Sequence, residues 1–184
     1  MIYILMVIVF VVYIYMNYSE FPRNADVAWL TLVNLNYTKE AAASLLGILD
    51  VYTDLNPKFV NQIILHEKSS YSGRAGYLNQ DQKLNETFIY DKIPLGINKF
   101  TTFEEKNYLK NLARENNLSM FNIQIQLHTL DFFQRDERFF EIENIDEAVD
   151  KYLNKFYQDL LEQKYLIIEK ANKYYEYFKN KNKK

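Results

Sequence analysis

The chain has no cysteine and only two histidines among its 184 residues. Without thiols it cannot form disulfides, iron–sulfur clusters or thiolate zinc sites, and it has no cysteine nucleophile. The 4 glycines and 3 prolines also exclude collagen-like and proline-rich classes. Because the usual bases and ligands are so scarce, we predict that the protein is not an enzyme and holds no cofactor.

Positive and negative charges nearly balance over the whole chain, since 22 basic and 24 acidic residues leave a net charge of −2. The distribution is uneven, because residues 151–184 carry nine lysines and four acids while the remainder carries −7. A nucleic-acid binder needs a basic face to displace counterions, so an acidic body predicts no nucleic-acid partner. The 17 lysines against 5 arginines, with 19 asparagines, indicate an AT-rich bacterial, organellar or viral genome.

A long hydrophobic run opens the chain, and residues 1–19 contain no charged side chain. Eighteen helical residues span about 27 Å, close to the roughly 30 Å thickness of a bilayer core. No basic residue precedes Arg23 and no small-x-small cleavage site follows the run, which argues against a signal peptide. We predict an uncleaved single-pass transmembrane anchor in the lipid bilayer, with the side of the soluble domain undetermined.

The remaining chain reads as a linker at residues 20–26, a domain at 27–145 and a long C-terminal helix with a basic tail at 146–184. The predicted fold class is α+β, mainly α, with two or three short strands. Thr38 is placed to cap a helix that begins at Lys39. Thr102 and Glu105 form a capping-box pattern at the start of another helix.

The strand prediction rests on a two-residue alternation of apolar side chains over residues 119–128. Ile123, Ile125 and Leu127 would share one face of that strand. Residues 88–90 and 139–142 are candidates for further short strands.

Two segments contain candidate ligand-binding residues. His128 and Asp131 could join His66 in a two-histidine, carboxylate metal site, although their spacing does not require one and a loop with solvated charges is the default interpretation. The small-residue loop around Ser72, Gly73 and Arg74 could wrap an anion with backbone N–H groups. It lacks the spacing of a nucleotide P-loop, and an ordinary turn is the alternative.

Two aromatic patterns suggest contacts with partner proteins. The predicted C-terminal helix is about 50 Å long, more than a small domain needs, so its distal half is expected to contact another subunit. Its seam, which has coiled-coil-like spacing, supplies the predicted partner-binding residues Phe156, Leu160, Ile167, Tyr174 and Phe178. Separately, the pairs at 132–133 and 139–140 flank a charged turn and could form a docking ridge or anchor the turn to the core.

These features together predict a membrane-anchored, non-enzymatic subunit or scaffold that docks partner proteins within a larger membrane complex. One alternative is an accessory subunit of an organelle-encoded respiratory or ATP synthase complex. Others are a membrane-bound hydrolase using His66 or His128, and a viral or phage envelope protein.

Overall fold

The computed structural model describes residues 24–59, 86–135 and 139–181. Within these ranges the chain is mainly helical, as predicted. The α-helices are α1 (Ala25–Asn34), α2 (Lys39–Thr53), α3 (Phe103–Glu115), α4 (Ile123–Gln134), α5 (Ile145–Phe156) and α6 (Lys164–Lys181). Short 3-10 helices occupy Glu86–Tyr90, Phe139–Glu141 and Gln158–Gln163.

The predicted location in a membrane is corrected by the structure. Across the three described ranges, no helix combines the length and the apolar character needed to cross a bilayer. The segment at residues 1–19, on which the prediction rested, lies outside the described residues, as does most of the predicted linker. Membrane anchoring therefore forms no part of the function proposed below.

Local capping interactions set two of the helix starts, as the sequence predicts. The Thr38 hydroxyl accepts a hydrogen bond from the Ala41 backbone N–H at 3.1 Å and so begins α2. At the start of α3, Thr102 and Glu105 form a complete capping box. Each contact spans only three residues, which is why the sequence alone reveals it.

The predicted strands are wrong, because the described residues contain no strand and only an isolated bridge between Leu95 and Phe100. The alternating segment forms α4 instead, whose first turn is capped by the Asn122 side chain. Helix α4 is buried on most of its circumference, so its apolar residues do not show a clean helical period. The two shorter candidates form 3-10 turns.

The single long C-terminal helix is also wrong, because the chain breaks at Tyr157 into α5 and α6. Tyr157 has φ −133°, outside the helical range, and its fully buried hydroxyl lies 2.6 Å from Asn98 Oδ1. A continuous straight helix could not place the Tyr157 side chain against Asn98 and also let α6 pack against α5. The 3-10 helix at Gln158–Gln163 makes that turn, and the Lys164–Asp150 ion pair spans it.

Helix α2 lies at the centre of the core and packs against α1, α5 and α6. At Gly47, α2 lies directly against the α6 backbone. Two ion pairs also join α6 to its neighbours, Lys170 with Asp50 of α2 at 2.8 Å and Lys181 with Asp26 of α1 at 2.7 Å. Helix α6 is therefore part of the chain's own core.

We expect Gly47→Ala to lower the free energy of unfolding by about 1–2 kcal/mol. A Cβ at this position would lie 2.8 Å from the Ile167 carbonyl oxygen and 2.9 Å from the Ala171 backbone nitrogen, so α6 would have to move. Overpacking typically costs about 1–3 kcal/mol, and the higher helix propensity of alanine returns up to about 1 kcal/mol. Urea denaturation measures the difference.

The double variant Gly47→Ala/Ala171→Gly is the control. Since the two closest atoms belong to the backbone, removing the Ala171 methyl should restore little stability. A Gly47→Ala variant as stable as the parent would contradict the close contact between the two helices.

Candidate functional site

Helices α3 and α4 form an antiparallel hairpin on one side of the core. Tyr108 of α3 stacks on Phe132 near the end of α4, whereas Leu112 further along α3 faces Ile125 near the start of α4. Asn117, with φ 52°, adopts the left-handed conformation that ends α3. The turn therefore reverses the chain and leaves a groove along the outside of the hairpin.

A buried lysine holds α3 in place. The Lys106 side chain has no exposed surface, and its Nζ lies 2.5 Å from Asp91 Oδ1 and 3.2 Å from the Phe88 carbonyl oxygen. Burial lowers the pKa of Lys106, while the Asp91 carboxylate acts in the opposite direction. This pair ties α3 to the 3-10 helix at Glu86–Tyr90.

Helix α4 is fixed by a buried glutamine. The Gln126 side-chain oxygen accepts from the Ile97 N–H at 2.9 Å, and its nitrogen donates to the Pro57 and Met120 carbonyls at 2.8 and 2.9 Å. The side-chain oxygen and nitrogen of Gln126 thus both form hydrogen bonds to backbone groups. Both helices that form the groove are consequently held by buried polar contacts.

Exposed aromatic rings cover the outer face of the hairpin. Tyr108 and Phe132 stack with centroids 4.2 Å apart, and Phe133 meets both of them edge-on at 5.7 and 5.1 Å. Phe132 is 59 % exposed although phenylalanine normally lies in a core. Phe103 and Tyr90 form a second exposed stack at 5.1 Å. We call the three mutually contacting rings of Tyr108, Phe132 and Phe133 the aromatic cluster.

The aromatic cluster borders an open groove of about 500 Å³, within the usual size range of binding clefts. Its lining residues are Phe103, Glu104, Asn107, Tyr108, Asn111, Leu112, Glu115, Phe132 and Phe133. Leu112 also borders an adjoining pocket of about 250 Å³ near the start of α4. The groove therefore follows most of the length of α3.

The two carboxylates of the groove stand too far apart to act together on one bond. Glu104 and Glu115 are eleven residues apart on one helix, about 16 Å along its axis. Paired carboxylates in glycoside hydrolysis are separated by roughly 5–9.5 Å. The arrangement suits contacts with an extended partner better than acid–base chemistry.

Of the three predicted metal ligands, the structure describes His128 and Asp131. His128 is exposed on α4 and borders the smaller pocket, while Asp131 is buried and bonded to Tyr37 and Arg135. Within the described ranges, no group of three histidine, aspartate or glutamate side chains is arranged to hold a metal. His66 lies outside the described residues, and so does the predicted anion loop at Ser72, Gly73 and Arg74.

The predicted partner-binding residues of the C-terminal seam pack inside the chain itself. Leu160, Ile167, Tyr174 and Phe178 are buried, and Phe156 is half-buried against Phe139. Their spacing marked a face that α2 and α1 cover, as shown by the stacking of Phe178 on Trp29 at 4.5 Å. The candidate docking surface lies elsewhere, on the α3–α4 hairpin.

The structure separates the two phenylalanine pairs that the sequence treats alike. Phe132 and Phe133 are exposed, whereas Phe139 is buried on Tyr152 and Phe140 packs beside Tyr37. The first pair therefore matches the docking-ridge interpretation and the second the anchoring one. The sequence pattern did not single out Tyr108, whose contact with Phe132 depends on the pairing of α3 with α4.

Comparison with known proteins supplies no relative. No family model matches the chain, and neither a curated protein nor a solved structure matches it.

Proposed function

We propose that this protein is a non-enzymatic docking subunit that binds a partner protein in the groove along the α3–α4 hairpin. The observation that carries the proposal is the aromatic cluster, which presents stacked rings to solvent beside a cleft. Contiguous exposed apolar patches mark interaction sites, and aromatic residues are enriched at the centres of interfaces. We therefore propose docking on the α3–α4 hairpin and not on the seam of the C-terminal helix.

Two features prepare the aromatic cluster for binding. The rings contact one another, so their rotamers are restricted before a partner arrives. The helices beneath are held by Lys106 and Gln126, so the groove is already shaped. Both features reduce the conformational entropy lost on association.

A hydrolase using His128 gains no support from its surroundings. Among the described residues, the other side chains that line the pocket bordered by His128 are apolar or amide, and none is a carboxylate that could orient a catalytic imidazole. The groove itself offers two distant carboxylates and two amides as its principal polar groups. A binding role accounts for these residues more simply than a catalytic one.

We expect the double variant Phe132→Ala/Phe133→Ala to lose a partner that the parent protein retains. Removing such an anchor from an interface costs about 2 kcal/mol, or roughly a thirtyfold loss of affinity. The measurement is quantitative mass spectrometry of proteins retained by the tagged chain in its native cells, followed by titration of the purified partner.

Tyr165→Ala is the matched control, since Tyr165 is an aromatic residue 85 % exposed on α6 and outside the groove. It should retain the partner with unchanged affinity. Circular dichroism checks that both variants remain folded. An unchanged set of retained proteins in the double variant would contradict the proposal.

A further inference from the structure

Both charged side chains that line the groove in the described residues are acidic. Glu104 and Glu115 are both exposed and stand at opposite ends of the lined stretch of α3. Among the described residues that line the groove, none is basic. A partner that places cations at both ends is therefore favoured over a neutral or acidic one.

The spacing of the two carboxylates matches the period of an α-helix. Eleven residues make slightly more than three turns, so positions i and i+11 of a helix lie on the same face, about 16 Å apart. A partner helix lying along α3 can therefore place two cations opposite Glu104 and Glu115. Its apolar side chains at intermediate turns would meet Tyr108 and Phe132.

A related arrangement, with its two carboxylates on separate helices, occurs within the chain itself. Lys170 and Lys181 of α6 are eleven residues apart and pair with Asp50 of α2 and Asp26 of α1. The apolar residue Phe178 lies between them and is buried against α1. Two lysines at this spacing on one helix thus both reach carboxylates in this protein.

We infer that the groove binds a cationic amphipathic helix of a partner protein, with Lys or Arg at positions i and i+11 and apolar residues between them. This inference rests on the proposed docking function and specifies its partner. Stacked rings supply most of the affinity, because exposed ion pairs contribute little. The carboxylates fix the direction of the helix and accelerate its association.

The test uses the full-length protein and a fluorescent synthetic helix. The probe peptide has two lysines eleven positions apart, leucine and phenylalanine on the same face between them, and alanine and glutamine elsewhere. One control peptide replaces both lysines with glutamate. A second moves one lysine by two positions, which carries it to the opposite face. Fluorescence anisotropy measures the binding of each.

The protein variants separate charge from packing. We expect Glu104→Gln/Glu115→Gln to weaken binding of the lysine peptide about fivefold, and to remove most of its salt dependence. The control Glu143→Gln/Glu162→Gln removes two exposed carboxylates outside the groove and should change neither quantity. Phe132→Ala should weaken binding at every salt concentration.

The outcomes distinguish the inference from the function on which it rests. If the glutamate peptide binds as tightly as the lysine peptide and only Phe132→Ala weakens binding, the cationic partner is wrong while docking stands. If no peptide binds and the native partner survives loss of Phe132 and Phe133, both are wrong. A dimer seen by sedimentation that the lysine peptide cannot dissociate would identify a second copy as the occupant and overturn the inference.

Discussion

The protein should unfold cooperatively in alkali, roughly one to three pH units above the ordinary tyrosine pKa of about 10. Burial raises the pKa of Tyr37, Tyr152, Tyr157 and Tyr174, and nearby Asp131 and Asp50 raise those of Tyr37 and Tyr174 further. These four phenols thus stay protonated in the folded protein at a pH where the unfolded chain has released their protons.

The sign of the effect follows from proton linkage. A group whose pKa is raised on folding contributes stability that is complete below its unfolded pKa and declines as the pH rises above that value. Four such groups give a slope of about 5 kcal/mol per pH unit above pH 10. Because domains are stable by about 5–15 kcal/mol, a rise of roughly one to three pH units above 10 should be enough to unfold the protein.

Other groups modify this alkaline transition only modestly. Burial raises the pKa of Tyr52 to about 12, in the same direction as the four buried phenols. Burial lowers the pKa of Lys99 and Lys106, which makes stability rise with pH below about 10.4, the unfolded lysine value. Above that value both states have lost these protons, so the phenols control the slope.

Simultaneous measurement of tyrosinate absorbance and circular dichroism tests this prediction. The buried phenols should ionise in step with loss of helix, in a single transition. Tyr152→Phe keeps the ring that stacks on Phe139 and should reduce the number of protons released by one. Tyr165→Phe, at an exposed site, should leave the transition unchanged. Ionisation of all tyrosines near pH 10 with the helices intact would contradict the burial of these phenols.

Asp91→Ala should lower the free energy of unfolding by about 3–5 kcal/mol, the usual effect of removing one partner of a buried ion pair. The loss is large because Lys106 would keep its charge in a site without exposed surface. Asp91 Oδ1 also accepts from the Ile93 backbone N–H at 2.9 Å, and the alanine variant loses that contact too. Chemical denaturation of the two proteins gives the difference.

Two further variants isolate the role of charge. Asp91→Asn retains a side-chain oxygen for the Ile93 N–H and for Lys106, so its loss should be smaller than that of Asp91→Ala. Asp91→Ala/Lys106→Met removes both charges and should recover most of the stability, because apolar groups often replace a buried pair without loss.

The pH dependence of Asp91→Ala has a defined sign. The pKa of Lys106 is already lowered by burial, and loss of the carboxylate lowers it further. In the variant, the unfolded state therefore binds more protons than the folded state over a wider pH range below about 10.4. The difference in the free energy of unfolding between parent and variant should shrink as the pH rises toward that value. A difference that grows with pH over this range would contradict a buried cation at Lys106.

Short-range features were determined by the sequence itself. The starts of α2 and α3 depend on contacts between Thr38 and Ala41 and between Thr102 and Glu105, each three residues apart. The left-handed turn at Asn117 is similarly local. Backbone propensity and a neighbouring side chain fix such features, so they can be predicted without knowing the rest of the fold.

Only the tertiary structure decided which apolar faces are covered. The break at Tyr157 depends on Asn98, and the burial of Lys106 depends on Asp91, which are 59 and 15 residues away along the chain. Phe132 and Phe139 look equivalent in sequence, yet Tyr152 of α5 helps to bury the second, whereas the first stays 59 % exposed with Tyr108 stacked on it. The hydrophobic pattern of a sequence indicates which helix faces are apolar. Long-range packing determines whether such a face is buried within the chain or stays exposed for a partner.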